Sequence, residues 1–360
     1  MKLKLITSFL LGAALSITAF ADVLTLKKDH PETYTVVKGD TLWDISAHFL
    51  NTPWLWPRLW QANSQIENPH LIYPGDVLTL IWVDGEPQLT RKQLKKMSPT
   101  PRLEEKGTPI PTIPLASISA FLSKDHVIDP ELLKDAPRLL GDAISTPRFF
   151  EGDVFYGQGK FNKRKIYGIY RLSDDYLDPV TEEFLGSELT FIGHSQVSKN
   201  PNVSATDQVT PHDFLKSSRE ARQGDLILPI PEHESLPAYF LPQPVPVTTT
   251  GQIIAALNNA VAIGKWDIVV INRGKRENIR IGSMFSIMQS GPEIFAGEDK
   301  VEYREDANRF DQMATPDLTI PAERVGELMV FKVYDKVSIA MVMRSTDIMG
   351  AKYKIQGLEF

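Results

Sequence analysis

Side chains that could perform acid–base or nucleophilic chemistry are scattered along the sequence. Adjacent carboxylates occur at Asp174-Asp175 and Glu182-Glu183, and a carboxylate pair is what hydrolysis of a glycosidic bond requires. Neighbours in an extended chain point to opposite sides, so we predict that these pairs are solvated loop charges. Gly193-His194-Ser195 lacks the closing glycine of a nucleophile elbow. The spacing of these residues therefore predicts no catalytic site.

Metal, redox and nucleic-acid chemistry have no better support. The seven histidines form no HxH or HExxH pair, so we predict no zinc site and no other metal or cofactor. Cysteine is absent, which excludes disulfides, thiolate metal sites, iron–sulfur clusters and cysteine nucleophiles. The net charge is −6, and no lysine or arginine block is long enough to follow a phosphate backbone. Nucleic acid is therefore not expected as a partner.

Residues 1–21 have the form of a secretory signal peptide. Lys2 and Lys4 precede an apolar stretch that runs from Leu5 to Phe20, and Ala19-Phe20-Ala21 has the small-x-small form of a signal-peptidase site. The apolar stretch is short for a membrane-spanning helix of about 20 residues. We expect cleavage after residue 21, no transmembrane segment in the mature chain, and a location in a bacterial periplasm, where disulfides are permitted but not required.

Proline-rich stretches divide the remaining chain. Because proline fixes its own φ and restricts the residue before it, we predict linkers at 83–114 and 231–246. These linkers separate a small module at 33–82, a middle domain at 115–230 and a C-terminal domain at 247–360. Short aromatic and β-branched runs predict that the two larger domains are mainly β, as small barrels or sandwiches.

Within the C-terminal domain, two segments lack a clear strand pattern. Residues 251–261 are predicted to form a short helix, because their apolar residues have helical spacing. The tail from Gly350 onward is expected to be irregular, because no Gly-Asp turn leads into a final strand there. Neither segment offers residues for chemistry.

The small module has the pattern of a strand, two helices and a strand. Alternation over 34–37 predicts the first strand, and Thr41 can cap a helix with apolar residues at helical spacing. A second helix is expected to begin near residue 53 and to end near residue 63, and 77–80 predicts the closing strand. Tryptophan is concentrated here, and Trp54 and Trp56 could be exposed and contact a partner or the next domain.

A Gly-Asp pair recurs ahead of apolar segments. The pairs are Gly39-Asp40, Gly75-Asp76, Gly152-Asp153 and Gly224-Asp225. Glycine and aspartate are both favoured in turns, glycine for its backbone freedom and aspartate for its local hydrogen bonds. We interpret the recurrence as turn chemistry.

The module resembles a LysM domain in the stretches YTVVKGDTLWDISAHF, WQAN and IENPHLIYPGDVLTL. The resemblance covers nearly all of residues 34–80. It implies a βααβ fold that binds N-acetylglucosamine-containing glycans, here peptidoglycan, between two loops. Backbone groups of the loops would pair with the acetamido group, and apolar side chains would line the floor. The implied glycan-binding residues are Gly39, Asp40, Thr41 and Leu42 in the first loop and Ile66, Asn68, Pro69, His70, Leu71 and Ile72 in the second. Asp40 and Thr41 are equally suited to capping the first helix.

Longer stretches resemble the LysM-containing TsaP family of type IV pilus secretin-associated proteins. They include TPWLWPRLWQAN, IYGIYRLSDDYLDPVTEEFLG, SREARQGDLILPIPE, VVINRGKRENIRIGSMFSI and PAERVGELMVFKVYDKVSIAMVMRST. The resemblance implies β-rich regions related to the flagellar T-ring protein FlgT. It also implies a non-catalytic adaptor that grips peptidoglycan and associates with an outer-membrane secretin ring.

The sequence thus predicts an α+β multidomain protein with an N-terminal βααβ LysM module and two mainly-β domains. Its predicted role is a periplasmic peptidoglycan-binding adaptor that anchors or stabilises a secretin. Two alternatives stay open. One is a general LysM structural protein of the cell envelope without a secretin partner, and the other is a peptidoglycan hydrolase tethered by its LysM module.

Overall fold

The computed structural model describes residues 24–60, 72–91, 110–113, 126–200, 204–230, 240–257, 262–296, 301–304, 306, 318–350 and 353–359. The described chain contains a three-stranded sheet with helices, a seven-stranded sheet, a closed barrel and a second three-stranded sheet. The sequence predicts a small module followed by mainly-β domains, each a barrel or a sandwich. The closed barrel of the C-terminal domain confirms the first of these two forms. The expected signal peptide at 1–21 lies outside the described residues.

The N-terminal unit has the predicted order of strand, helix, helix and strand. Thr41 starts the first helix, because its Oγ1 accepts a hydrogen bond from the N–H of Asp44 at 3.1 Å. A 3₁₀ turn at Pro53–Leu55 leads directly into the second helix. The elements are β1 (Thr33–Thr35), α1 (Leu42–Phe49), α2 (Trp56–Trp60), β2 (Val77–Val83) and β3 (Glu86–Arg91), with the strands ordered β1-β2-β3 and all antiparallel.

Strand β3 was not predicted. It lies within residues 83–114, which were predicted to be a linker, so that prediction is wrong for residues 86–91. Asp84 and Gly85 have φ values of 52° and 85° and connect the paired residues Val83 and Glu86. A two-residue Asp-Gly turn with positive φ at both positions matches the twist of a hairpin. That dipeptide is the signal in the sequence that could have predicted the extra strand.

All the Gly-Asp pairs form the same turn. The glycines have φ between +92° and +102°, and a Cβ added to any of them would meet no atom within 4 Å. Each aspartate accepts a hydrogen bond on Oδ2 from the backbone N–H three residues earlier, at 2.7–3.0 Å. The glycine therefore supplies the backbone conformation and the carboxylate closes the turn, which confirms the interpretation as turn chemistry.

The middle domain is a long antiparallel sheet ordered β10-β7-β8-β9-β6-β5, with β4 paired to β8. A bridge between Arg138 and Leu226 brings the two edges of the sheet together. Asp225, directly before β10, is fixed to β7, because its carboxylate accepts two hydrogen bonds from Arg171 at 2.9 Å each. The elements are β4 (His126–Ile128), α3 (Pro130–Lys134), β5 (Leu139–Gly141), β6 (Val154–Gln158), β7 (Ile166–Leu177), β8 (Phe184–Val197), β9 (Val209–Ser217) and β10 (Leu226–Pro229).

His212 on β9 is fully buried in an aromatic cluster. Its ring stacks on Phe155 at 5.6 Å and meets Phe161 and Tyr167 edge to face. Its Nδ1 lies 3.2 Å from Ser195 Oγ, which is also fully buried. Burial lowers the pKa of His212 from its ordinary value of 6.5 to about 4.

We expect this histidine to make stability depend on pH. The unfolded chain takes up a proton on His212 near pH 6.5, whereas the folded chain resists protonation until about pH 4. Stability should therefore fall as pH falls through this window, by about 3 kcal/mol in total. His212→Phe should flatten the pH dependence of urea unfolding between pH 7 and 4.5. Parallel curves for wild type and His212→Phe would contradict this account.

The C-terminal domain is a closed barrel ordered β11-β12-β18-β17-β13-β19. The predicted helix over 251–261 is wrong for its described part, because residues 250–256 form β11 and pair with β12 and β19. The tail contains a strand, β19, which pairs with β11 and β13 and closes the barrel. The strands are β11 (Thr250–Ala256), β12 (Ile268–Ile271), β13 (Met284–Gln289), β14 (Glu293–Ala296), β15 (Val301–Tyr303), β16 (Leu318–Thr319), β17 (Glu323–Val333), β18 (Ser338–Ser345) and β19 (Lys354–Gly357), of which β14, β15 and β16 form the small separate sheet.

Strands β12, β17 and β18 of the barrel are buried on both faces. Successive residues of β12 alternate between two apolar clusters, as side chains of a strand must. Val269 and Ile271 belong to a cluster whose members all lie between residues 245 and 355, which is the barrel interior. Ile268 and Val270 belong to a larger cluster that also contains the core of the N-terminal module. The outer face of these strands is therefore covered by other parts of the chain.

Polar contacts join the N-terminal module to the barrel. Lys265 Nζ lies 3.1 Å from Asp44 Oδ1 on α1, and the Arg324 guanidinium lies 4.7 Å above the Trp54 ring. Trp54 and Trp56 are buried, with exposed fractions of 3% and 1%. The expectation that they could be exposed is wrong, and the contact that Trp54 makes with Arg324 is to the C-terminal domain, not to the next domain along the chain.

The middle domain is joined to the barrel by a second set of polar contacts. Asn272 Nδ2 donates to Asp178 Oδ2 at 2.8 Å, and Glu183 pairs with Arg276 at 2.9 Å and Lys336 at 2.6 Å. The hydrogen bonds from these cations lower the pKa of Glu183 to about 2. One carboxylate of the Glu182-Glu183 pair, predicted to be a solvated loop charge, is thus part of a domain interface.

Candidate functional site

The first candidate loop connects β1 to α1 and is held by its own hydrogen bonds. Asp40 Oδ2 accepts from the N–H of Val37 at 2.9 Å and from the hydroxyl of Tyr34 at 3.0 Å. Burial and this hydrogen bond raise the pKa of Tyr34 to about 12. Gly39 is explained by its φ of +102° in the turn, with no neighbouring atom that would clash with a side chain. Gly39 and Asp40 therefore shape the loop.

Thr41 and Leu42 form the start of α1. The Thr41 hydroxyl donates to Asp44 Oδ2 at 2.7 Å while accepting from the Asp44 N–H, so this residue is a helix cap. Leu42 is completely buried and Thr41 is 2% exposed. What this loop can offer a ligand is its backbone, since the N–H groups of the first helical residues have no acceptor within the helix.

The second candidate loop is described only at its end. Ile72 is completely buried, and the turn that follows it is tied to the end of β1 by hydrogen bonds from Gly75 N–H to Val36 O at 2.7 Å and from Val36 N–H to Asp76 O at 2.9 Å. The turn after the second loop therefore lies beside the segment that leads into the first loop. The other predicted glycan-binding residues, Ile66, Asn68, Pro69, His70 and Leu71, lie outside the described residues.

A short segment from the predicted linker lies across both loops. Pro111 O accepts a hydrogen bond from Leu42 N–H at 3.0 Å, and Thr112 O accepts one from Trp43 N–H at 3.2 Å. On the other side, the N–H of Ile110 donates to Ile72 O at 2.9 Å. We call residues 110–113 the strap. Sequence reasoning missed it, because two isoleucines in a proline-rich stretch form no recognisable element.

The N-terminal module has the βααβ arrangement, formed by β1, α1, α2 and β2, with β1 paired to β2. Residues 34–80 match the family described as LysM domain. This segment is a LysM domain. A curated relative, "Uncharacterized protein YqbP" of Bacillus subtilis (strain 168), is 38% identical over 63 residues, which cover 15% of this chain and 29% of the relative. The chain therefore spans less than a third of that relative's length, and the likeness has about the size of a LysM domain.

A LysM domain suggests binding of peptidoglycan or a related glycan. An N-acetyl sugar needs hydrogen-bond partners for its amide and an apolar surface for its methyl group. In the LysM domain of this chain, the groups suited to these roles are the backbone N–H groups at the start of α1, which the strap binds, and the side chains of Leu42 and Ile72, which are completely buried. We refer to these groups as the groove.

The other residues considered for catalysis are either buried or hydrogen-bonded to a neighbouring side chain. The Ser195 and His212 pair has the spacing of a nucleophile and its base, but both residues are completely buried, so a substrate has no access to them. Asp175 accepts a hydrogen bond from Ser187. Over the described ranges, no three His, Asp or Glu side chains lie together so as to hold a metal ion. In the same ranges, no helix is long and apolar enough to cross a membrane.

Proposed function

We propose that this protein is a non-catalytic periplasmic adaptor that binds peptidoglycan and anchors or stabilises an outer-membrane secretin of a type IV pilus system. The LysM domain at residues 34–80 is the observation that carries the wall-binding part. The signal-peptide pattern at 1–21 supports export. The TsaP-like stretches in the middle and C-terminal domains support the secretin partner.

The packing of the LysM domain suggests how such an adaptor would work. Because the LysM core and the outer face of the barrel share one buried cluster, a pull on the wall contact would pass directly into the β domains. Single LysM domains make small contacts, so several copies around a ring would raise retention by avidity. The adaptor would then act as a mechanical coupler between wall and ring.

Wall binding is tested with the full chain from residue 22, because deletion of the LysM domain would expose the outer face of the barrel. We expect the protein to co-sediment with purified sacculi and to be released by soluble, uncharged N-acetylglucosamine tetramer. The supernatant should contain no newly released wall fragments. Pelleting that saturating tetramer does not reduce would contradict glycan binding, and steady release of fragments would favour the hydrolase alternative.

The secretin partner requires a separate measurement. A tagged full chain should capture secretin multimers from detergent-solubilised outer membranes of a piliated bacterium that produces this protein. The control is an unrelated exported protein that carries the same tag and is expressed at the same level. Wall binding without secretin capture would favour the alternative of a general envelope protein.

A further inference from the structure

We propose that the strap, residues 110–113, is an intramolecular ligand of the LysM groove, and that a glycan must displace it to bind. The inference rests on the proposed glycan binding, and it adds the strap as an intramolecular competitor of the glycan. The occupant is a segment of this same chain with the sequence Ile-Pro-Thr-Ile, which bends at Thr112 and Ile113.

The hydrogen bonds of the strap use the donors that the groove would offer to a glycan. Leu42 and Trp43 are the first residues of α1, and their N–H groups have no acceptor within the helix. Both donate instead to strap carbonyls, those of Pro111 and Thr112, at 3.0 and 3.2 Å. Each N–H can satisfy one acceptor at a time, so an acetamido carbonyl and the strap exclude each other there.

The apolar part of the groove is occupied in the same way. Ile110 and Ile113 are 5% and 1% exposed, and both belong to the buried cluster that contains Leu42 and Ile72. Leu42 and Ile72 are themselves completely buried. With the strap in place, the floor that a sugar methyl group would need is therefore buried, together with the two strap isoleucines.

The composition of the strap suits a displaceable occupant. Pro111 has no N–H, so it needs no hydrogen-bond acceptor when it leaves or enters the groove. Prolines at 109, 111 and 114 restrict the conformations open to the undocked segment, which lowers the entropy cost of docking. The contacts described for the strap are backbone hydrogen bonds and apolar burial, and a glycan can replace both.

Competition of this kind lowers the apparent affinity by the fraction of molecules whose groove is open. Weakening the strap should therefore tighten glycan binding without any new contact to the glycan. The double variant Ile110→Ser/Ile113→Ser removes the apolar anchors and leaves the groove intact. Its matched control is Ile144→Ser/Ile348→Ser, the same change at isoleucines that are 83% and 72% exposed.

The experiment compares both variants and wild type as full chains from residue 22. Calorimetry measures binding of N-acetylglucosamine tetramer, and hydrogen exchange follows the amides of Leu42 and Trp43. In the strap variant we expect exchange at these amides to accelerate, and tetramer affinity to rise at least about tenfold. The control should match wild type in both measurements.

A measurement on the wild type alone keeps the test valid if the strap variant fails to fold. Saturating tetramer should accelerate exchange at the Ile110 amide, whose bond to Ile72 O must break, while Leu42 and Trp43 stay protected. An Ile110 amide that remains protected in the complex overturns the proposal.

The remaining outcomes separate the two proposals. Accelerated exchange in the strap variant with unchanged tetramer affinity overturns competition and leaves glycan binding standing. Unchanged exchange at Leu42 and Trp43 in a folded strap variant overturns the claim that the isoleucines hold the strap. No tetramer binding by any of the proteins, even with the amides exposed, contradicts glycan binding itself and therefore competition as well.

Discussion

Replacement of Glu327 by alanine should lower the free energy of unfolding by about 3 to 5 kcal/mol. Glu327 lies on β17, is completely buried, and accepts hydrogen bonds from Arg344 Nε at 2.8 Å and Nη2 at 2.7 Å. Arg324 Nη2 lies 2.8 Å from the same carboxylate. Its removal would leave two guanidinium groups without their shared anion in a partly buried site, and this uncompensated charge is the source of the loss.

Urea unfolding of the full chain measures this effect. Glu293→Ala is a suitable control, because Glu293 pairs with Arg304 where both side chains are 40% exposed. Exposed pairs contribute about 1 kcal/mol or less, so the control should unfold near the wild-type midpoint. A Glu327→Ala variant that is as stable as the control would show that the arginines find other partners.

Trp54→Ala should be about as costly, at about 3 to 5 kcal/mol. Trp54 is 3% exposed in the shared cluster, and the Arg324 guanidinium lies 4.7 Å from the centre of its ring. The truncation would leave a cavity next to the barrel and remove a cation–π contact. The expected result is a large drop in the urea midpoint that is seen equally by circular dichroism and fluorescence.

Trp82 provides the matched control for Trp54. It lies on β2 in the same N-terminal unit but is 64% exposed, so Trp82→Ala should change stability by about 0.5 kcal/mol or less. Because Arg324 contacts both Trp54 and Glu327, the double variant Trp54→Ala/Glu327→Ala should deviate from additivity by about 0.5 to 3 kcal/mol. Additive losses would mean that Arg324 does not link the two residues energetically.

Local patterns in the sequence were sufficient for the LysM domain and for the Gly-Asp turns. Thr41 predicts a helix start because capping depends on residues three positions apart. The turns are equally local, because each aspartate carboxylate binds an N–H three residues earlier. Such contacts lie within one window of sequence, and residue types alone specify them.

Contacts between distant segments could not be predicted in this way. The apolar run at residues 253–256 fits a helix or a strand equally well, and pairing with β12 and β19 decides in favour of β11. The strap escaped prediction for the same reason, because its partners Leu42 and Ile72 lie about 40 to 70 residues away. Proline content predicted an extended chain there, but it could not predict what the chain would lie against.

The burial of both barrel faces has a consequence for the order in which this chain can fold during synthesis. The LysM domain precedes the barrel in the chain, and the barrel against which its cluster packs is completed by β19, the last of the barrel strands to be made. Until residues 354–357 have been made, the apolar surface of the earlier segment has no completed partner. Nascent chains of this protein should therefore depend on a holding chaperone from the synthesis of the LysM domain until that of β19.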